Sequence, residues 1–373
     1  MSTNRTRVPV QIAAGALAAA AVFGLTACSG AKPPAGTPAS SPASVSPGAA
    51  QPTSDATAPD APGGGDAGGA AGDAAAAAAA AQWLVQNLAD GTHAEIEYDN
   101  EMFNDGGLTI DAMWALVAAG QTEAAGKAAD WLAQRGNAID YAGDGEQAAY
   151  PSAMGKLGLA YLTPGVAPAP QYKSAPDLAG LIAGRLSPEG RFRDISEWGD
   201  NSTPAGQAFD ILLLVKLGAL DGLTADPVAG LEAIACPDGS YPEAFDADPP
   251  CLGDVATTAI IAQALLAAGQ TQAADRAFDH LLAAQVESGR WQSFGTDSVS
   301  ATALAVAALG LVDTPEAKNA AALGLAALRG WQLARTGAFP AADAAEGELR
   351  ATAHGILALT GTSHLDLLGI PPG

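Results

Sequence analysis

The sequence predicts an all-α fold in which six helical hairpins form an (α/α)6 toroid with an inner and an outer ring of helices. The first observation is a repeat: an acidic residue is followed four or five positions later by Thr-Ala and an apolar helix. The copies are Asp254 with Thr258-Ala259, Asp297 with Thr302-Ala303, and Glu348 with Thr352-Ala353. A repeat at a near-constant period indicates stacked supersecondary units.

The second observation is that two kinds of helical segment alternate. The first kind mixes polar and apolar positions at helical spacing, over residues 75–88, 122–134, 176–185, 227–235, 271–285 and 315–333. The second kind is apolar nearly all round, over residues 108–118, 151–162, 204–217, 254–268, 298–311 and 348–359. A helix with one wet face belongs outside and a helix without one is buried, so the first kind predicts the outer ring and the second the inner ring. We expect each outer helix to form a hairpin with the inner helix that follows it in the sequence.

The first 27 residues have the form of a signal peptide, with Arg5 and Arg7 before an apolar run over residues 12–25. The run ends at Leu25-Thr26-Ala27-Cys28, which resembles the lipobox of bacterial lipoproteins. This resemblance implies that Cys28 is lipidated and becomes the mature amino terminus; ordinary cleavage, with Cys28 incidental, is the alternative. We therefore expect a protein anchored to the cell membrane on its extracytoplasmic face.

Three further segments follow the signal peptide. Residues 28–72 are mostly Pro, Ala, Gly, Ser and Thr, which bury too little surface to offset ordering entropy, so we predict a disordered tether. Residues 73–366 are expected to form one toroid domain, and residues 367–373 a short tail. Cys236 and Cys251 are predicted to form a disulfide, because disulfides persist outside the cytoplasm and no His lies near either Cys to complete a metal site.

The charge excludes one class of partner. The formal net charge is −23, and without Arg5 and Arg7 of the signal peptide it becomes −25, from 15 Lys and Arg against 40 Asp and Glu. Such a surface repels phosphate backbones, so we expect no nucleic-acid binding. Cationic groups and neutral ligands such as glycans remain possible.

A turn motif carries a resemblance to a known superfamily. Gln285, Gly289 and Trp291 fit the Gln-X-X-X-Gly-X-Trp turn of squalene-cyclase-type repeats. Looser versions occur at Gln332 with Gly337 and Phe339, at Gly190 with Phe192, and at Asp238 with Tyr241. Residues 75–362 thus resemble the toroid superfamily of terpenoid cyclases and protein prenyltransferases, which also holds complement-type thioester domains and cobalamin carriers. The resemblance implies that the glutamine caps helix ends; it is specific for fold and not for chemistry.

The catalytic motifs of that superfamily are incomplete in this sequence. Class II cyclases protonate an alkene with the middle acid of Asp-X-Asp-Asp-Thr-Ala, and the corresponding segment, which starts at Asp254, has Ala256 and Thr257 at the other two acids. The prenyltransferase zinc site needs Asp, Cys and His, but His93, His280, His354 and His364 are dispersed. The segment 143–147 reads Gly-Asp-Gly-Glu-Gln, with Asp144 where a thioester needs Cys. We expect no cofactor, no metal and no catalytic residue from these motifs.

Acidic and aromatic residues gather where outer helices lead into inner ones. These connections open at the same end of an α-hairpin toroid, so we predict an acidic, aromatic mouth. Its candidate binding residues are Tyr98, Asp105, Asp111, Trp198, Asp200, Tyr241, Asp254, Trp291, Asp297, Glu348 and His354. Sugar stacking or capture of a cation suits this composition, whereas helix capping by the acids is the alternative.

These observations predict a monomeric, non-catalytic module that binds a ligand or an envelope partner, with a cationic group or a glycan as the candidates. The alternative is an extracytoplasmic enzyme that acts on a glycan or an isoprenoid through carboxylates at the mouth. The two hypotheses differ in an observable way. An enzyme should bring at least two carboxylates, with perturbed pKa values, to within about 10 Å of each other in one concave pocket.

Overall fold

The computed structural model describes residues 66–166, 168–247, 250–341 and 346–373. The predicted signal peptide, Cys28 and most of the predicted tether lie outside these ranges. Helix α1 begins at Asp66, within the segment predicted as tether. In this Ala-rich helix, the Asp73 carboxylate accepts two hydrogen bonds of 2.6 Å from Arg329 of the outer ring.

The helices and strands are numbered in chain order. They are α1 (Asp66–Asn87), β1 (Ala94–Tyr98), β2 (Glu101–Asp105), α2 (Gly106–Ala118), α3 (Thr122–Leu132), α4 (Arg135–Ala142), α5 (Pro151–Tyr161), α6 (Ala175–Ala183), α7 (Pro204–Leu217), α8 (Pro227–Glu232), α9 (Val255–Ala267), α10 (Thr271–Ala283), β3 (Gln292–Ser293), β4 (Thr296–Asp297), α11 (Val299–Leu309), α12 (Pro315–Trp331), α13 (Leu349–Leu359) and α14 (His364–Leu368). The strands pair as two antiparallel hairpins, β1 with β2 and β3 with β4.

Six helices form a closed inner ring. In order they are α2, α5, α7, α9, α11 and α13; each packs against the next, and α13 packs against α2. The outer ring consists of α1, α3, α6, α8, α10 and α12. The predicted (α/α)6 toroid is therefore confirmed, with α4 and the β-hairpins as additions that the sequence reasoning missed.

Outer helices pack most closely against the inner helix that precedes them, as α10 does against α9 and α12 against α11. The sequence reasoning had paired each outer helix with the inner helix that follows it. The physical reason is loop length: only residues 268–270 separate α9 from α10, whereas residues 284–298 separate α10 from α11. The long connections all lead into the amino ends of inner helices, and they build the mouth.

The inner helices are buried on nearly every side, as their composition predicts. In α9 every residue from Val255 to Leu265 is buried, and in α2 the Trp114 side chain is fully buried. Helix α14 packs against α2 and α9. The segment predicted as a short tail, residues 367–373, also joins the core, since Leu367, Leu368 and Ile370 are apolar and buried.

The threonine of the repeat has a structural role. Thr258 Oγ1 accepts a hydrogen bond of 3.0 Å from the Tyr241 N–H, and Thr302 does the same for Trp291 at 3.0 Å. Each hydroxyl thus fixes the aromatic residue of the preceding turn against the inner helix. Thr352 and Phe339 repeat the contact at 3.0 Å.

The glutamine of the turn motif joins neighbouring repeats. The Gln285 side-chain amide donates to Gly289 O at 3.0 Å and to Ala320 O of outer helix α12 at 2.9 Å. Gly289 has a φ of +80°, and a Cβ there would lie 2.7 Å from Leu323 O of α12, so the turn requires glycine. The Gln turn is therefore the joint between one repeat and the next outer helix.

The predicted disulfide is present. Cys236 and Cys251 are bonded, with their Cα atoms 5.6 Å apart. The bond closes the long connection between α8 and α9. Among the described residues, helices with the length and apolar character needed to cross a bilayer are not found.

Candidate functional site

The amino ends of α2, α5, α7 and α13 surround a cavity of about 70 Å³ at the mouth of the ring. Inner helices run parallel, so residues from the first turns of distant helices meet there. The ionisable side chains in its lining are Asp105, Tyr141, Tyr150, Lys156, Asp194 and Arg350. Ser152, Asn201 and Thr203 add polar groups to the lining. This cavity is called the ring cavity below.

Beneath the ring cavity lies a buried charged cluster centred on Asp111. Lys156 Nζ lies 2.7 Å from Asp111 Oδ1, and Arg350 Nη1 lies 3.0 Å from Oδ2. Arg350 Nη2 also lies 3.6 Å from Asp105 Oδ2. Burial alone raises the pKa of Asp111, but the charges of Lys156 and Arg350 outweigh it and hold that pKa below its ordinary value. Asp111 is therefore an ionised carboxylate between two cations.

Asp194 is the titratable acid of the ring cavity. It lies in the connection before α7, where its Oδ2 accepts a hydrogen bond of 3.2 Å from the Asn201 N–H. Its Oδ1 is buried and has no hydrogen-bond partner among the described residues. Burial raises the pKa of Asp194 to about 7; the Asn201 N–H opposes this shift and the charge of Asp200 adds to it. A large fraction of Asp194 is therefore protonated at neutral pH.

Asp210 lies one layer deeper, on α7, and is fully buried. Among the described residues neither of its carboxyl oxygens has a hydrogen-bond partner of good geometry. Burial raises the pKa of Asp210 well above its ordinary value, and the charge of Asp194 raises it further. The carboxyl group packs tightly on Gly155 of α5, where an added Cβ would lie 2.3 Å from Asp210 Oδ1. Asp210 is thus a neutral carboxylic acid in the wall behind the site.

Two histidines are buried near the charged cluster and are neutral. Burial lowers the pKa of His354 to about 3 and the pKa of His364 to about 4, although the charge of Asp111 opposes both shifts. The His364 ring meets Trp114 and Phe209 edge-on, with centroid distances of 5.6 and 5.5 Å. Neither imidazole is poised to exchange protons near neutral pH.

The residues predicted for the mouth occupy several different places. Asp105 lines the ring cavity, and Asp111 lies in the charged cluster. His354 lies close enough to Asp111 for that charge to act on its pKa. The other predicted residues lie elsewhere. Two acids cap inner helices, Asp254 on α9 and Glu348 on α13, and two others form ion pairs, Asp200 with Arg191 and Asp297 with Arg290. Of the aromatic residues, Tyr241 and Trp291 are buried in the core, whereas Tyr98 and Trp198 are exposed on connections. The structure therefore brings three of the predicted residues together at the cavity and its charged base.

The sequence reasoning did not select Lys156, Asp194 or Arg350 as site residues. A signal existed for two of them, because Lys156 and Arg350 are charges within otherwise apolar inner helices, and such charges are rarely buried without partners. Asp194 gave no such signal, since acids are common in connections. Its distinguishing property is its burial, which only the folded structure determines.

The predicted fold class is confirmed by solved structures, although no family model and no curated protein matches the chain. The apo type II terpene cyclase MstE from Scytonema aligns with a TM-score of 0.58 and 16% identity, over 78% of this chain and 98% of the cyclase. A protein from Actinoplanes aligns with a TM-score of 0.56 and 16% identity, over 78% and 99% of the two chains.

A second kind of enzyme shares the fold. The unsaturated glucuronyl hydrolase of Bacillus sp. GL1, responsible for the degradation of glycosaminoglycan, aligns with a TM-score of 0.51 and 15% identity, over 78% of this chain and 95% of the hydrolase. At these identities the likeness defines the α/α toroid and nothing finer. The chemistry has to be inferred from the ring cavity itself.

Proposed function

We propose that the protein is an enzyme that hydrolyses a glycosidic bond at the ring cavity, with Asp194 as the proton donor. The observation that carries this proposal is a set of three buried oxygens without hydrogen-bond partners: Asp105 Oδ2, Ser152 Oγ and Asp194 Oδ1. All three residues line the same cavity. An unpaired buried polar atom is costly, and a hydroxylated ligand offers each of them a partner whereas an isoprenoid does not.

The two carboxyl groups suit the two roles of a glycosidase. With a pKa raised to about 7, Asp194 carries a proton that it donates to the leaving oxygen at neutral pH. Asp105 Oδ1 accepts a hydrogen bond of 2.8 Å from the Leu108 N–H. Its Oδ2 lies 3.6 Å from Arg350 Nη2 and accepts no hydrogen bond from the described residues, so it is the oxygen that attacks or activates water in this proposal. Asn201 and Ser202 further order the connection that contains Asp194, since Ser202 Oγ donates a hydrogen bond of 2.8 Å to Asp200 Oδ1.

Turnover of oligosaccharides tests this proposal. The full-length mature protein is incubated with neutral and anionic oligosaccharides, and products are followed by mass spectrometry. We expect Asp194→Asn to lower kcat by about 100-fold or more while the ligand still binds. Asp99→Asn, at the exposed tip of the β1–β2 hairpin, is the matched control and should keep full activity.

The pH profile gives a separate readout of the same role. Since the donor must carry its proton, kcat should fall as the pH rises through about 7, the pKa of Asp194. A rate that increases through this range would contradict Asp194 as the acid. It would point instead to a base.

A non-catalytic binding module is the second candidate. The observation in its favour is that one oxygen of Asp105 already serves as the cap of α2. In that case the wild-type protein binds an oligosaccharide, produces no cleavage, and Asp194→Asn binds equally well. Cleavage by the wild-type protein would eliminate this candidate.

We also propose that the toroid is held at the extracytoplasmic face of the membrane through a lipid on Cys28. The lipobox-like Leu25-Thr26-Ala27-Cys28 supports this location. Cys28→Ala should move the protein from the membrane fraction to the medium. Retention of that variant in the membrane fraction would overturn the proposal.

A further inference from the structure

A second cavity, which we call the hairpin cleft, lies beside the ring cavity. It has a volume of about 220 Å³ and is lined by Ile96, Met102, Phe103, Trp131, Asn137 and Asp140. Asp105 and Tyr141 line both cavities. The β1–β2 hairpin forms one side, and α3 and α4 supply the other.

Tyr141 is a fixed wall between the two cavities. An added Cβ at Gly106 would lie 2.6 Å from Tyr141 Cγ, and one at Gly107 would lie 3.4 Å from the Tyr141 hydroxyl. The ring therefore rests directly on the two glycines that open α2. Because α2 belongs to the inner ring, this wall is part of the rigid frame of the toroid.

The indole of Trp131 is held in one orientation. It stacks on the His93 ring with a centroid distance of 4.4 Å and an interplanar angle of 3°. Its own carbonyl accepts a hydrogen bond of 2.8 Å from Asn137 Nδ2. Among the described residues, the Asn137 side-chain oxygen accepts no hydrogen bond. A preorganised aromatic ring thus stands beside an amide acceptor.

The charge of the hairpin cleft selects against anionic ligands. Asp105 and Asp140 line it, and within the described part of the chain no Lys or Arg does. In the adjoining ring cavity, the cations Lys156 and Arg350 are already paired with Asp111. A ligand with uronic acid or sulfate groups would meet the Asp140 carboxylate and also Asp105, which shares the Arg350 guanidinium with Asp111.

We propose that the hairpin cleft binds a sugar unit of a neutral or amino-sugar oligosaccharide whose next unit occupies the ring cavity. The apolar face of a pyranose packs on Trp131 and Phe103, and its hydroxyls bond to Asn137 and Asp140. The shared wall of Asp105 and Tyr141 then lies at the junction of the two units. The assignment of a sugar to the ring cavity rests on the proposed function.

The substrate class follows from this arrangement. The similar glucuronyl hydrolase degrades glycosaminoglycan, which is a polyanion, whereas this site favours uncharged or cationic sugars. Two adjoining cavities also favour an oligosaccharide over a monosaccharide. The protein is thus directed to neutral or amino-sugar chains.

Calorimetric titration of the full-length Asp194→Asn variant tests the inference, because we expect that variant to bind without turnover. The probes are chitotetraose, cellotetraose, maltotetraose, the deacetylated chitosan tetramer, hyaluronan tetrasaccharide and geranylgeraniol. We expect at least one neutral or amino-sugar tetrasaccharide to bind and the hyaluronan fragment not to bind. Binding of hyaluronan alone, or of none of the sugars, overturns the inference.

Substitutions in the hairpin cleft identify the subsite. Trp131→Ala should weaken tetrasaccharide binding at least tenfold, and Asn137→Ala severalfold. Because Trp131 also packs on His93, its loss could destabilise the protein, so a second variant is placed at an exposed side chain. Met102 is 58% exposed, and Met102→Glu should weaken binding of the neutral sugars severalfold. The control is Leu323→Ala, exposed on outer helix α12, which should bind like the parent.

The failures of the two proposals are distinguishable. Binding that depends on Trp131, without any cleavage by the wild-type protein, sinks the glycosidase and keeps the hairpin cleft. If Trp131→Ala and Met102→Glu leave cleavage unchanged, the glycosidase proposal stands and the proposed sugar subsite in the hairpin cleft is overturned. Tight binding of geranylgeraniol with no sugar binding overturns both.

Discussion

Asp111 is the residue that neutralises the centre of the toroid. It lies between the Lys156 ammonium at 2.7 Å and the Arg350 guanidinium at 3.0 Å, and all three groups are largely buried. Two cations at this depth depend on their shared carboxylate, because desolvated charges without partners are strongly unfavourable. The cluster is therefore a requirement of the fold as well as the base of the site.

Replacing Asp111 should be strongly destabilising. We expect Asp111→Ala to lower the free energy of unfolding by about 3–5 kcal/mol, since it leaves Lys156 buried without its ion-pair partner and Arg350 with Asp105, at 3.6 Å, as its remaining partner. Denaturant unfolding followed by circular dichroism measures this change. The control is Glu123→Ala, which removes an exposed i,i+4 partner of Lys127 and should change stability little. Equal effects for the two substitutions would contradict the role of the cluster.

Gly155 allows two inner helices to meet closely. Since a Cβ at this position would lie 2.3 Å from Asp210 Oδ1 and 2.8 Å from the Asp210 N, we expect Gly155→Ala to cost about 1–3 kcal/mol of stability. Gly126→Ala in outer helix α3 is the matched control. A Cβ there has open space, so that change should stabilise by about 0.5–1 kcal/mol through helix propensity. Thermal unfolding of both variants measures the contrast.

At the scale of elements, the glutamine turn holds the repeats together, and Gln207 is its most buried example. Its amide nitrogen donates to Gly190 O and to Pro227 O at 2.7 Å each, and its oxygen accepts the Phe192 N–H at 3.1 Å. One side chain thus links the connection before α7 to the start of outer helix α8. The sequence lacked the intact motif here, because this glutamine comes from the inner helix itself.

Loss of this link should be costly. We expect Gln207→Ala to lower the free energy of unfolding by about 2–4 kcal/mol, because it removes three buried hydrogen bonds to backbone groups. Urea unfolding gives the value. Gln147→Ala, at an exposed position, should be close to neutral. If Gln207→Ala is also neutral, the turn does not hold the repeats together.

At the scale of the whole molecule, buried acids and buried histidines give a pH-dependent stability. Burial raises the pKa values of Asp194 and Glu243 to about 7 and raises that of Asp210 well above its ordinary value, so these acids bind protons in the folded state above pH 4 and release them on unfolding. His354 and His364 are neutral in the folded state and take up protons on unfolding at pH values below their ordinary pKa of about 6.5. Because three acids oppose two histidines, the net effect between about pH 4.5 and 6.5 is a slow loss of stability as the pH rises.

Stability should therefore fall slowly over that range and more steeply just above about pH 6.5, where only the acids still bind extra protons in the folded state. The melting temperature between pH 4.5 and 9, measured by circular dichroism, checks this profile. Asp210→Asn, which removes the acid with the deepest burial, should melt at a higher temperature than the wild-type protein above pH 7. A melting temperature that rises from pH 6.5 to 8 in the wild-type protein would contradict this account.

The ring was predictable from sequence because each of its causes is local. Apolar inner helices, amphipathic outer helices and the Gln285 turn are all visible within short windows. The β1–β2 hairpin was also visible, since Glu95 and Glu97 alternate with apolar residues and Asp99-Asn100 form the turn, but the acidic composition concealed the alternation.

The site was not predictable in the same way, because it depends on the three-dimensional path of the chain. Lys156 and Arg350 lie on different helices, far apart in sequence, and share one carboxylate only through the closed ring. The raised pKa of Asp194 depends on its burial in the folded structure, which no spacing rule encodes. Asp297, by contrast, looked like a helix start, yet Ser298 caps α11 instead.

Closure of the ring has a consequence for the order of folding. The Arg350 side chain reaches Asp111 from α13, and α13 packs against both α1 and α2. A growing chain completes these contacts last, after all the earlier helices have been synthesised. The charged base of the cavity therefore forms where the ring closes, and a chain that ends before α13 lacks the Arg350 side of the cavity. The ring cavity is thus a property of the closed ring, and a partial chain lacks this cavity until its first and last helices have packed together.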